Sequence, residues 1–174
     1  MGSDPELRLT PALKFSMFNG FLDRCGAPLP SVRRLFANMA TQTQHSVPYA
    51  IEKPETVRTD LLQPMAYAYQ GRRDIVITIR QPEFTSVCPM TGLPDFGTIT
   101  IRYRPNAQII ELKSLKFYLL QYRNVGIFYE HLVNRILDDL VKALAPQWME
   151  VQGVFSARGG ISTDVVAQYT GEAK

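Results

Sequence analysis

From residue 74 onward, apolar and polar positions alternate with a period of two. In "DIVITIRQ", Ile75, Ile77 and Ile79 share one face, with Val76, Thr78 and Arg80 on the other. That pattern predicts a strand with one apolar side. "GTITIRYR" repeats it, with Ile99, Ile101 and Tyr103 opposed to Thr98, Thr100 and Arg102. "PNA" at 105–107 breaks the run, and "QII" extends or restarts it. The period then lengthens. Leu112, Leu115, Leu119 and Tyr122 recur at helical intervals, and Asn124 and Gly126 end that helix. A second and wider stripe follows in Phe128, Leu132, Val133, Ile136, Leu137, Leu140 and Leu144, stopped by Pro146. Two further alternations close the chain, "MEVQGVFSA" and "ISTDVVAQY", joined by the turn residues "RGG" at 158–160.

The predicted order is therefore strand, strand, helix, helix, strand, strand. Two hairpins flanking a helical pair cannot build a parallel sheet of alternating units. They predict an α+β fold: an antiparallel four-stranded sheet with both helices on one face, ββααββ. The open edges of such a sheet are often closed by neighbouring subunits. The segment before residue 74 is less legible. "PALKFSMFNGFLDRCG" and "PSVRRLFANMA" suggest short helices, and the proline-punctuated stretch from Thr41 to Gln63 reads as an extended arm or linker. We thus divide the chain into an N-terminal arm, 1–73, and a core, 74–174. "MGSDP" is left out of the fold argument.

Composition narrows the function. A 174-residue chain, 45% hydrophobic and 20% charged, suits one soluble domain, and its net charge of +3 is too mild for a nucleic-acid coat. No apolar run approaches a membrane span, and no secretion signal opens the chain. Two cysteines, Cys25 and Cys88, then suggest reduced thiols and a cytoplasmic location. Cys25 reads as structural or incidental. No metal site is expected, because Cys25, Cys88, His45 and His131 are not paired at ligand spacing.

The candidate chemistry lies in "TSVCPMTGLPDFG", which puts Cys88 at the mouth of a turn before Asp95. A thiol at a strand-to-turn junction is accessible, as a nucleophile must be. The plain alternative is that Cys88 is a small buried hydrophobe and Asp95 a turn residue. A carboxylate activates a neighbouring thiol poorly, since like charges resist forming together. It is better placed to give a proton to whatever the sulfur attacks. The pair therefore suits addition to a carbon–nitrogen or carbon–oxygen multiple bond. Peptide hydrolysis would want a histidine tied to Cys88.

Three segments, "PEFTSVCPMTGLPDF", "ELKSLKFYL" and "RGGIS", closely resemble the NADPH-dependent 7-cyano-7-deazaguanine reductases, the nitrile reductases of queuosine biosynthesis, in their unimodular branch. The likeness covers roughly residues 74–169. It implies a tunnelling fold assembled as a homo-oligomer, with pentameric rings stacked as a decamer and sites between protomers. It implies a small-molecule substrate, with no direct nucleic-acid contact and no membrane. Carried over, Cys88 matches the nucleophile that holds the nitrile as a covalent thioimide, and Asp95 matches the proton donor. Glu130 matches the glutamate that binds the guanine-like edge, and Ile110, Glu111 and Leu112 line the base. Leu112, Lys113, Arg158 and Gly159 match the NADPH contacts, with Lys116 as a further cation. No dinucleotide fingerprint of the G-x-G-x-x-G kind is present.

One departure concerns the residue before the substrate glutamate, a histidine in some members and Tyr129 here. His131 lies about 200° round the helix from it and cannot stand in. Tyr129 is kept as a substrate contact through its hydroxyl. Read without the resemblance, Glu130, Lys113 and Lys116 are solvated helix faces. Two other functions stay open on the sequence: an amidinotransferase that meets the thioimide with ammonia, as in a related archaeal branch, and a non-catalytic purine- or pterin-binding module.

Overall fold

The computed structural model describes residues 50–171. The two short helices expected before residue 41, with Cys25 and His45, lie outside the described residues. Within them the strands are β1 (Pro64–Ala66), β2 (Ile77–Val87), β3 (Pro94–Arg104), β4 (Gln108–Ile110), β5 (Trp148–Arg158) and β6 (Ile161–Thr170). The helices are α1 (Leu112–Leu120) and α2 (Tyr129–Leu144). The main sheet has four strands in the order β2-β3-β5-β6, every neighbouring pair antiparallel. This is the antiparallel four-stranded sheet expected from the alternation, and the tunnelling-fold arrangement that the resemblance implies. A second, two-stranded sheet joins β1 to β4.

The side-chain period explains the layering. Ile99, Ile101 and Tyr103 of β3 and Met149, Val151 and Phe155 of β5 are all buried. They face the α2 stripe of Leu132, Val133, Ile136, Leu137, Leu140 and Leu144, buried in turn. Residues two apart on a strand point the same way, so one face of the sheet belongs to the helices. Residues 54–66, inside the stretch read as an arm, carry Val57 and Leu62 into this core.

Two stripe residues do not behave as the periodicity predicts. Leu112 is 61% exposed and Phe128 is 47% exposed. Both sit at helix starts, Leu112 as the first residue of α1 and Phe128 as the cap of α2. There a residue has not yet turned onto the packed face. Tyr118 replaces Leu112 in the buried set, beside Leu115, Leu119 and Tyr122.

Local chemistry sets the element ends. The Glu111 carboxylate accepts from the amides of Lys113 (2.7 Å) and Ser114 (2.6 Å), a two-fold N-cap for α1. α2 ends on Ala145 in the left-handed region (φ 43°), with Pro146 next. Gly159 and Gly160 both have positive φ (56° and 84°), which the tight β5–β6 turn requires.

Candidate active site

The loop after β2 is closed by its own backbone. The Cys88 amide donates to the Leu93 carbonyl (2.9 Å), and the Gly92 amide donates back to the Cys88 carbonyl (2.8 Å). Gly92 takes positive φ (69°), so the chain can reverse inside this ring. Cys88 is a half-buried free thiol at its start. Burial pushes its pKa up. The Thr91 hydroxyl, the amides of Met90 and Thr91 and the Arg158 guanidinium outweigh that and bring it down from 9.0 to about 7. Donors aimed at sulfur stabilise the thiolate, the nucleophilic form.

Asp95 stands across the loop on β3, only 3% exposed. It lies on the helix-facing side, like Ile99 and Ile101, which is why a carboxylate here is buried. Two groups meet its Oδ1: the Tyr129 hydroxyl donates to it, and the Arg158 guanidinium pairs with it. Tyr129 is therefore brought to the acid, and its pKa is pushed up to about 12 by burial and then by the Asp95 carboxyl. It stays a neutral donor at any physiological pH. Directly opposite Asp95 in the sheet register is Ser86, fully buried, its hydroxyl without a hydrogen-bond partner among the described residues.

Tyr129 is held by a ring stack. Its ring lies 3.8 Å from that of Phe155, 7° from parallel. The Phe155 ring in turn fills space left by two glycines. A Cβ on Gly97 would come within 2.7 Å of the Val154 carbonyl oxygen and 2.8 Å of Phe155, and one on Gly153 within 2.7 Å of the same ring. Gly97→Ala is expected to lower stability by about 1–3 kcal/mol, because backbone on the next strand must move. It should also displace Phe155 and with it Tyr129. Denaturant unfolding combined with turnover checks both effects.

Arg158, the last residue of β5, reaches back over the loop. Its Nη2 donates to the carbonyls of Leu93 (3.1 Å) and Pro94 (3.3 Å), besides pairing with Asp95. Burial works against its charge, but the Cys88 sulfur and the Asp95 and Tyr129 oxygens raise its pKa above the ordinary value. Cys88, Asp95, Tyr129 and Arg158 thus form one cluster built from four elements of a single chain.

The expected residues of the 110–113 segment lie elsewhere. The Ile110 amide donates to the Tyr103 hydroxyl (3.2 Å). Tyr103 is eight residues along β3 from Asp95, about 26 Å at ~3.3 Å per residue. Ile110, Glu111, Leu112 and Lys113 therefore occupy the far end of the sheet. Glu111 is also committed to capping α1, and the Lys113 and Ser114 amides hold its carboxyl below the usual range. Glu130 is exposed in the first turn of α2, next to Tyr129. Gly159 tips the β5–β6 turn, and no atom of the described residues outside the turn comes within 4 Å of where its Cβ would stand. Lys113 and Lys116 are exposed on α1. Exposed ammonium groups and an unobstructed glycine turn have the chemistry a dinucleotide phosphate needs. Among the described residues no cluster of three or more His, Cys, Asp or Glu side chains is placed to hold a metal ion. Nor is any helix there long and apolar enough to cross a membrane.

Sequence reasoning missed Thr91 and Phe155 as parts of this cluster. Thr91 had a signal, its place inside the cysteine turn. Phe155 had none, because its alternation is that of any core residue.

The profile of a family described as "QueF-like protein" matches residues 94–174. A protein of Caldicellulosiruptor bescii called NADPH-dependent 7-cyano-7-deazaguanine reductase is 57% identical over 115 residues, 66% of this chain and 87% of that one. One of the same name from Chloroherpeton thalassium is 55% identical over 67% of this chain and 99% of its own. A third, from Chlorobaculum tepidum, is 60% identical over 56% of this chain and 84% of its own. Among solved structures, the apo form of an archaeosine synthase described as QueF-Like aligns with a TM-score of 0.50 at 23% identity. It covers 60% of this chain and all of that one, a likeness of fold.

Proposed function

Because the chain belongs to the family of NADPH-dependent 7-cyano-7-deazaguanine reductases, we propose that the Cys88 cluster is where it reduces the nitrile of 7-cyano-7-deazaguanine to an aminomethyl group. The observation that carries this placement is a half-buried thiol and a buried carboxyl joined through one guanidinium, that of Arg158. A nitrile resists hydride until something adds to its carbon. The Cys88 sulfur gives its electron pair to that carbon, and one π pair of the C≡N bond moves to nitrogen. Asp95, with the Tyr129 hydroxyl behind it, supplies the proton, leaving a covalent thioimide.

NADPH supplies a hydride to carbon at each of two stages when bound. The chain's part is to protonate nitrogen each time and to take back the electron pair of the C–S bond when the sulfur leaves. Lys113 and Lys116, with Leu112 beside them, and Gly159 from a neighbouring protomer are the residues suited to hold the cofactor's phosphates. Glu130 and Glu111 are the carboxylates suited to the donor edge of the base, and Ile110 and Leu112 to its faces.

The separation along β3 supports a composite site. Residues 110–113 can meet a substrate bound at Cys88 only if a second protomer brings them there. Among the described residues β2 and β6 are the edges of the main sheet, and Phe96, Val154 and Val166 are exposed, which favours such neighbours. We read the assembly as rings of subunits stacked face to face, a decamer of two pentamers. A catalytic thiol that must stay reduced, and a need for NADPH, suit the cytoplasm.

The test is stoichiometry. On adding 7-cyano-7-deazaguanine, two NADPH should be oxidised per primary amine formed. An amidine formed with no NADPH consumed would instead indicate attack by ammonia.

A further inference from the structure

We propose that Arg158 is a catalytic residue: in the free enzyme its guanidinium bridges the Cys88 sulfur and Asp95 Oδ1, so that two acids share one cation and one proton. The proposal rests on the reading of Cys88 as nucleophile and gives Arg158 a role beyond cofactor binding.

The geometry points there in three ways. Arg158 pairs with Asp95, and the same Nη2 donates to Leu93 and Pro94, the carbonyls that close the cysteine loop. The Leu93 carbonyl also receives the Cys88 amide, so one oxygen ties the guanidinium to the nucleophile's own backbone. Finally, guanidinium and sulfur act on each other's charge, the arginine lowering the thiol's pKa and the sulfur raising the arginine's. A side chain so engaged has little left for a distant phosphate. The groups acting on the sulfur are Thr91 and the amides of its own loop, Arg158 from β5 and Tyr129 from α2, with Asp95 of β3 reached through Arg158 and Tyr129. Arg158 is the one cation among these described groups.

The charge balance fits the addition step. With one proton between Cys88 and Asp95, the arginine, thiolate and carboxyl together are neutral. On attack, the sulfur electron pair becomes the C–S bond, and the displaced π pair takes the shared proton onto nitrogen. The thiolate charge is gone, Asp95 is a carboxylate, and Arg158 pairs with it alone. Neutrality holds before and after, so the step builds no net charge in a half-buried site.

The test is the pH profile of iodoacetamide alkylation of Cys88 in the free protein, mapped by peptide mass so that Cys25 does not interfere. The wild-type midpoint should lie near 7. Arg158→Gln and Arg158→Ala should raise it by about half a unit, slowing alkylation about threefold below the midpoint. Arg158→Lys, which keeps the charge but loses the fork, should fall between. Melting curves identify any variant that fails to fold, and the glutamine and lysine forms preserve most of the packing. Unchanged profiles in folded variants, with only KM for NADPH raised, would overturn the proposal and leave Arg158 a cofactor contact. Because the profile needs neither nitrile nor NADPH, it can fail while the reductase reading stands, and the reverse.

Discussion

Cys88→Ala should eliminate NADPH oxidation in the presence of the nitrile, a loss of roughly a thousandfold or more, while the protein remains folded. The loss is total in mechanism because no other group can make the carbon electrophilic enough for hydride. Stability should change little. Cys88 is half-buried, and its amide and carbonyl, which close the loop, survive the substitution. Cys88→Ser sharpens the point: a hydroxyl near its ordinary pKa is no thiolate, so turnover should be lost with the packing intact. Measured turnover near the wild-type rate in either variant would remove Cys88 from the chemistry.

Asp95→Asn is the second large effect, about a hundredfold to ten-thousandfold in kcat, the usual range for a positioned proton donor. The amide keeps the shape of the carboxyl but cannot cycle a proton. It also takes away one of the two charged partners of Arg158. Turnover should therefore fall at every pH, and a more acidic medium should not restore it. Tyr129→Phe should cost less, since Asp95 stays in place and loses only one donor. A Tyr129→Phe variant slower than Asp95→Asn would exchange the two roles, and steady-state kinetics on both decides it.

The sheet was legible because each strand buries one face, so the period of two survives in the residue string from Ile99 to Tyr103 and from Met149 to Phe155. Helix starts were less so: Leu112 and Phe128 fit the stripe by spacing yet lie outside the packed turns. Cys88 and Asp95 were found because turn chemistry marks the loop between them. The partnership of Asp95 with Tyr129 and Arg158 was not readable, since it joins positions 34 and 63 residues apart in the chain, through register and a ring stack. Gly97 and Gly153 show the same limit. Alternation gives no hint that they are small to admit Phe155. The residues from 110 to 113 were recognised by resemblance, and the Ile110–Tyr103 hydrogen bond, with the short link from β3 to β4, fixes which end of the sheet they occupy.

Intact-mass measurement of the protein incubated with 7-cyano-7-deazaguanine, with NADPH withheld, tests the central claim most directly. The mass should rise by that of one whole nitrile per chain, mapped to the peptide bearing Cys88, and Cys88→Ala should gain nothing. An unmodified wild-type mass under conditions where the nitrile is bound would contradict the account.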